Sequence, residues 1–215
     1  MQLQARSVVS ASPSPRLYLA SASPRRRELL AQIGLAFVPL PQVVDESTRP
    51  GEAAADYVQR VALEKAEFGW HDQRRQLDLP VLAADTSVVV DERVLGKPSS
   101  LDETHAMLTL LSGRTHEVMT AVAVVHGNRN MVRLTSTSVS FRDITEAETV
   151  AYWRSGEPQD KAGAYGIQGL AALFVAGIRG SYSNVVGLPL FETALLLEQF
   201  GISSLALLEG APHER

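Results

Sequence analysis

VLAADTSVVV, residues 81–90, is the segment that decides the fold. It is apolar and β-branched at nearly every position, so neither face suits water, and such a run reads as a central strand covered on both sides. Asp85 interrupts it. A carboxylate inside an apolar strand is costly to desolvate unless it is paired, hydrogen-bonded or bound to a metal, so Asp85 is a functional candidate on energetic grounds alone. The competing reading is that the strand ends at Ala84 and that Asp85 and Thr86 form a solvated turn.

Upstream, a helix is expected from about Glu52 to Phe68, because Val58, Val61, Ala62 and Phe68 recur at helical spacing while Asp56, Gln59 and Arg60 lie opposite. Lys65 falls on the apolar stripe, although a lysine near a helix C-terminus also snorkels and complements the dipole. Farther upstream, LYLA (17–20) reads as a short buried strand and Ser21 to Ser23 as a turn. Ser23 suits an N-cap and Pro24 the first helical position, with Leu29, Leu30 and Ile33 forming a buried stripe that Gly34 ends.

Downstream, Val90 to Val94 suggest a hairpin-like reversal, and Gly96, Lys97 and Pro98 a rigid loop. Ser100 to Glu103 is S-x-x-E, a capping box, opening a helix with Met107, Leu110 and Leu111 facing inward until Gly113. HEVMTAVAVV (116–125) and MVRLTSTSVSF (131–141) read as paired strands around Gly127-Asn128. Thr145 to Glu148 is a second capping box, before a helix carrying Tyr152 and Trp153. Gly163, Gly166 and Gly169 punctuate DKAGAYGIQG, and NVVGLPLFETALLLEQFG reads as a strand-like piece followed by a helix from about Pro189 to Phe200. Helical crossovers and a direct antiparallel pair together mean α/β or α+β with a mixed sheet.

The 215 residues, 45% hydrophobic and 20% charged, suit one large domain, expected over 17–210. Residues 1–16 are expected to be a flexible tail. Their Ser, Pro and Arg content, with no acid before Glu28, faintly resembles an organellar transit peptide, but Pro13 and Pro15 would interrupt an amphipathic helix. The tail lacks the apolar core of a secretory signal, and no apolar run approaches the roughly 18 residues that span a bilayer. The formal charge of −4 offers no global field for a nucleic acid polymer or an anionic membrane, so any phosphate site must be local. The absence of cysteine excludes disulfide frameworks and thiolate chemistry and is compatible with a cytoplasmic location.

SASPRRRELL (21–30) places three arginines at a helix start, where charge logic favours acids. A Ser-rich turn opening a helix, with Arg25 and Arg26 adding donors, fits phosphate oxygens; a solvated arginine cluster fits as well. No G-x-x-x-x-G-K-[ST], G-x-G-x-x-G or H-E-x-x-H pattern is present, no G-x-S-x-G elbow supports Ser-His-Asp catalysis, and the five histidines are scattered. Glu46, in VVDES, could join Asp85 as an oxygen ligand for Mg²⁺ or Mn²⁺, or sit in an ordinary loop. With Lys65 and Lys97, these residues form an inventory for metal-assisted phosphoryl chemistry. The Gln168 amide both donates and accepts, as reading a nucleobase edge requires, although a turn glutamine in a glycine-rich loop is an equal reading.

LYLASASPRRRELLAQIG, VDES, LEKA, AADTSVVV, LGKP, LSGRTHEVMTAVAV, DKAGAYGIQG and NVVGLPLFET, in this order, closely resemble the Maf family of nucleoside triphosphate pyrophosphatases from about Leu17 to Gly201. The resemblance implies an α/β fold with an elongated, twisted mixed sheet, two lobes and a central cleft, related to the inosine triphosphate pyrophosphatases. It implies a cytoplasmic homodimer that uses a divalent cation to cleave between the α- and β-phosphates. It makes Asp85 the proton acceptor, Arg25, Thr86 and Gln168 residues of base or substrate selectivity, and Ser21, Arg26, Glu46, Lys65 and Lys97 further polar residues of the cleft. S-P-R-R, D-T and A-Y-G-I-Q-G match the branch preferring dTTP and UTP over the 7-methyl-GTP branch.

The expected activity is therefore hydrolysis of dTTP and UTP, with modified pyrimidine triphosphates as further candidates, in nucleotide housekeeping or cell-division control. A non-catalytic nucleotide-binding regulator of cell division is the alternative from another class, and 7-methyl-GTP hydrolysis the alternative within the family. If Asp85 is buried beside Glu46, like-charge repulsion should raise a carboxyl pKa unless a cation offsets it, so activity should require metal and neutral to alkaline pH.

Overall fold

The computed structural model describes residues 14–203. Residues 1–13 of the expected tail and 204–210 of the expected domain lie outside the described residues. Arg16 donates its backbone N–H to the Ala36 carbonyl at 2.9 Å, next to the first strand, Leu17–Leu19.

In chain order the elements are β1 (Leu17–Leu19), α1 (Pro24–Gln32), β2 (Phe37–Pro39), α2 (Ala54–Trp70), β3 (Val81–Val90), β4 (Arg93–Leu95), α3 (Leu101–Leu111), β5 (Thr115–His126), β6 (Arg129–Phe141), α4 (Glu146–Arg154), β7 (Val175–Arg179), α5 (Tyr182–Val186) and α6 (Leu190–Glu198). Short 3-10 turns occupy Glu157–Asp160, Ala162–Ala164 and Leu170–Leu173. The fold is mixed α/β: a seven-stranded sheet in the order β2-β1-β3-β5-β6-β7, with β4 also on β3. β1 is parallel to β2 and β3, whereas the pairs from β3 to β7 are antiparallel.

β3 runs unbroken through Asp85, which overturns the reading of a turn after Ala84. One edge of β3 pairs with β5 from Val81 to Val89. The other edge carries β1 only at Val81 and Leu82 and β4 only at Val88 to Val90. Between them, Ala83 to Ser87 have no ladder partner on that edge, and this split in the sheet places Asp85 and Thr86 at an opening.

Strand alternation then sorts their side chains. Leu82, Ala84, Val88 and Val90 join one core with Leu17, Leu30, Leu108 and Leu197. Val81 and Ala83 join the opposite core with Val58, Val61, Ala62 and Ala66 of α2. Asp85 shares the odd-numbered face and meets α2; Thr86 points the other way, towards α1. Gly69 brings α2 close to the sheet, since a Cβ there would stand 2.8 Å from Val81 Cγ1.

Ser23 caps α1 by accepting the Arg26 N–H, and Thr145 and Glu148 form a complete capping box on α4. Other expectations need correction. Phe68 is 59% exposed, because Gly69 takes the place nearest the sheet. Helix α3 buries Thr104, Leu108 and Leu111, with Met107 and Leu110 only partly covered; Thr104 satisfies its hydroxyl on the Ser100 carbonyl at 3.0 Å and so can be buried. Its N-terminus is half a capping box, since Glu103 reaches the N–H of Ser99 instead of Ser100. The strand-like NVVG is helix α5, started by the Ser181 cap on Asn184. Strands β2 and β7 are additional; β7 escapes pattern reading because Gly177 interrupts its alternation and its partner β6 bulges at Ser140/Phe141.

Candidate active site

The opening beside β3 widens into a cavity of about 780 Å³. Its floor is charged. Lys65 emerges from the buried face of α2, with Asp85 facing it from β3; each is 8% exposed. Lys65 Nζ donates to Asp85 Oδ1 at 2.8 Å and lies 2.6 Å from Glu46 Oε1. One ammonium thus bridges both carboxylates. Only Oδ1 of Asp85 is hydrogen-bonded among the described residues, which leaves Oδ2 for a ligand or water.

The raised carboxyl expected from repulsion is not found at Glu46. Burial pushes its pKa up, but the hydrogen bond and charge of Lys65, helped by Lys97 and Arg26, outweigh burial and hold it below its ordinary value. Lys97 Nζ is 4.0 Å from Glu46 Oε2 with a side chain 61% exposed, so its ammonium is available to an anion.

Glu46 lies on the loop before α2, and α2 holds that loop. The Tyr57 hydroxyl donates to the Glu46 carbonyl at 2.8 Å, and Arg60 Nη2 donates to the Ser47 carbonyl at 3.0 Å while pairing with Glu52 at 2.6 Å. Burial first, then the charges of Asp85 and Glu46, push the Tyr57 phenol up to about 12, so it remains a donor at neutral pH.

The two arginines at the start of α1 have different surroundings. Arg26 is spread over protein acceptors: Nε to the Gly187 carbonyl at 2.8 Å, Nη2 to Thr86 Oγ1 at 3.0 Å and Nη1 to Ser21 Oγ at 3.3 Å. Burial lowers its pKa, with the Asp85 charge opposing. Ser21 Oγ also accepts the Ser23 N–H at 3.2 Å. Thr86 Oγ1 meets Thr120 Oγ1 at 3.0 Å across the β3–β5 ladder, and Thr120 donates to the Asn184 carbonyl at 2.9 Å. Arg25 makes no hydrogen bond among the described residues; it lines the cavity, and its charge acts on Asp160 of the facing turn. Arg27 is exposed.

Gln168 lines the same cavity from the glycine-rich loop and is exposed. The fold therefore gathers Ser21, Arg25, Arg26, Glu46, Lys65, Asp85, Thr86, Lys97 and Gln168 around one cavity. Pattern reading missed Tyr57, Thr120, Glu157 and Gly187. Tyr57 carried a usable signal, since it precedes Val61 and Lys65 by helical steps; Gly187 acts through its carbonyl, which no side-chain pattern reveals.

A metal is tested by the donor set. Among the described residues no three His, Asp or Glu side chains gather to hold an ion by themselves. Glu46 and Asp85, sharing one cation partner, offer hard oxygen donors in the number that Mg²⁺ takes from proteins when substrate phosphates complete its shell. The residues fit such an ion.

The sequence profile of the family described as Maf-like protein matches residues 16–200. A protein of Bordetella avium named dTTP/UTP pyrophosphatase is 57% identical over 195 residues, covering 88% of this chain and 97% of that protein. A Hahella chejuensis protein of the same name is 54% identical over 187 residues, covering 87% and 93%. Among solved structures, the Ham1 protein of Staphylococcus aureus aligns with 59% of this chain and 71% of its own at 13% identity and a TM-score of 0.39.

Proposed function

The chain belongs to the Maf family, and from that premise we propose that it is a nucleoside triphosphate pyrophosphatase hydrolysing dTTP and UTP to the monophosphate and pyrophosphate. The observation that carries the reading is the Lys65 ammonium seated between the Glu46 and Asp85 carboxylates on the floor of a cleft rimmed by further cations. An isolated pair would serve burial; two acids on one base, open to a cavity, suit a polyanion and a cation together.

In this reading Glu46 and Asp85 hold Mg²⁺ or Mn²⁺, which when bound neutralises phosphate charge and lowers the pKa of water near it. Asp85 Oδ2 accepts a proton from the water that attacks the α-phosphorus. The new P–O bond forms as the bond from that phosphorus to the bridging oxygen breaks, and pyrophosphate leaves with the electron pair. Lys65 orients Asp85 through its hydrogen bond to Oδ1. Lys97, only loosely paired with Glu46, and Arg25, which makes no hydrogen bond among the described residues, take the outer phosphates, while Arg26 ties Thr86 to the Gly187 turn. Gln168, on the glycine-rich loop that lines the same cavity, reads the base edge.

Free nucleotides suit the chain better than a nucleic acid polymer, given a net charge of −4 and a local cluster of Arg25, Arg26, Lys65 and Lys97 at the cleft. No helix among the described residues is long and apolar enough to cross a membrane. We place the enzyme in the cytoplasm as a homodimer. The test is pyrophosphate release from the purified protein with dTTP, UTP, CTP and 7-methyl-GTP, each with Mg²⁺ or Mn²⁺. Turnover of dTTP and UTP is expected; preference for 7-methyl-GTP, or no release with any nucleotide, would overturn the reading.

A further inference from the structure

Gln168 makes no hydrogen bond to the protein among the described residues, so its place depends on the backbone that carries it. That backbone is held from below by Glu157. Glu157 Oε2 accepts the N–H of Leu170 at 2.8 Å; Oε1 accepts the N–H of Ala171 at 3.3 Å and the hydroxyl of Tyr152 at 2.9 Å. The same hydroxyl accepts the N–H of Gly166 at 3.3 Å. One carboxylate, directly and through one phenol, therefore secures the chain on both sides of Gln168.

The anchor is itself fixed. Lys161 Nζ donates to the Glu157 carbonyl at 2.6 Å and to Asp160 Oδ1 at 2.6 Å, bracing the turn from which Glu157 projects. The glycines flanking Gln168 allow the loop to lie against these side chains. A Cβ on Gly166 would stand 2.6 Å from Lys161 Cε, and one on Gly169 would collide with the Glu157 carboxylate. Bonds from backbone N–H groups to a carboxylate are stronger than neutral ones, so Glu157 adds a polar hold to the apolar one that buried Ile167 gives this loop.

We propose that Glu157 is a positioning residue for base selection, acting through Gln168 by fixing where its amide stands in the cleft. The proposal rests on the reading of Gln168 as the base-reading amide. A purely structural Glu157 would affect all substrates alike; a positioning residue alters discrimination between bases. Uracil and cytosine differ in the donors and acceptors of the edge that an amide reads, and they leave the triphosphate unchanged.

The experiment measures kcat and KM of the full-length protein for UTP and CTP in Glu157→Ala, Glu157→Gln, Gln168→Ala and the Glu157→Ala/Gln168→Ala double variant. Inhibition by inorganic tripolyphosphate serves as a probe with phosphates and no base. Glu157→Ala is expected to reduce the UTP-over-CTP ratio of kcat/KM about tenfold, chiefly through the KM for UTP, as displacement of a positioning group does. Glu157→Gln, which keeps one acceptor, should lie between it and the wild type, and tripolyphosphate inhibition should be unchanged.

In the double variant the ratio should be no lower than in Gln168→Ala alone, the signature of one residue acting through the other. An unchanged ratio in both Glu157 variants, with a reduced one in Gln168→Ala, overturns the positioning role and leaves Gln168 reading the base. An unchanged ratio in Gln168→Ala overturns the base-reading assignment and the proposal with it. Additive losses in the double variant, or equal weakening of tripolyphosphate, also overturn the proposal. Should Glu157→Ala not fold, Tyr152→Phe, which cuts the Gly166 arm alone, carries the same comparison.

Discussion

Lys65 Nζ donates to Asp85 Oδ1 at 2.8 Å between two groups that are each nearly sealed from water. Helix α2 and strand β3 are thereby joined at the point where the sheet splits, and Glu46 shares the same ammonium. Lys65→Met should leave the buried Asp85 carboxylate without its direct ion-pair partner and lower stability by about 3–5 kcal/mol. Urea unfolding with and without Mg²⁺ checks this. The variant should gain more stability from Mg²⁺ than the wild type does, because a bound cation substitutes for the lost ammonium; equal gains would refute it.

Asp85→Asn removes the proton acceptor but preserves shape, and Lys65 retains Glu46 as a partner. Turnover should fall by about 10²–10⁴-fold, the range associated with loss of a general base. Nucleotide affinity, measured by calorimetric titration, should be mostly retained. Near-normal pyrophosphate release from this variant would remove Asp85 from the mechanism.

Adjacent arginines should separate cleanly. Arg26→Ala breaks bonds to Gly187, Thr86 and Ser21 and should lower stability by about 2–3 kcal/mol. Arg25→Ala breaks none and should leave the unfolding midpoint nearly unchanged while raising the KM for dTTP about tenfold. Thermal melts and steady-state kinetics on both variants distinguish the two roles, and a stability loss in Arg25→Ala equal to that in Arg26→Ala would contradict the assignment.

His116 supplies a pH dependence away from the cleft floor. Its ring is 2% exposed, meets the Tyr165 hydroxyl at 2.8 Å, and burial pulls its pKa from 6.5 down to about 4. Between those values the unfolded chain binds a proton that the folded ring refuses, so stability falls as pH drops through that window and is fully present above it. The decrease attributable to His116 is on the order of 3 kcal/mol. His116→Phe should be less stable at pH 7, having lost the Tyr165 partner, yet should lose less on going to pH 4. Unfolding curves at several pH values decide it, and parallel pH profiles for both proteins would count against this origin.

Much of the site was visible as energetic anomaly. Asp85 in an apolar strand and Lys65 on an apolar helix stripe each violate the local pattern, and the structure pairs them with each other. Glu46 gave no such signal, because a loop carboxylate violates nothing; only the bonds from Tyr57 to its carbonyl and from Arg60 to that of Ser47 show that it is held in place. By residue pattern alone Arg25 and Arg26 are equivalent, and only the family resemblance separates them; the structure distinguishes them physically, since Arg26 is bonded to the Gly187 turn. Glu157 was silent for a related reason: beside the Tyr152 hydroxyl, its carboxylate partners are the backbone N–H groups of Leu170 and Ala171, and backbone groups have no letter.

What the sequence by itself determined is most of the strands and helices, though not β2, β7 or α5, and most of the faces their side chains share, because periods of 2 and 3.6 are local properties of the chain. Alternation within β3 already separates Asp85 from Thr86. Only the tertiary structure decided which polar residues meet. Residues 65 and 85 are joined by the parallel crossover that lays α2 on the sheet, and residues 26 and 187 by helix packing across 161 positions. The cleft itself exists because β1 and β4 each cover one end of the same edge of β3 and leave the middle open. That gap follows from strand lengths and pairing, which are settled by burial over the whole sheet and not by any one segment.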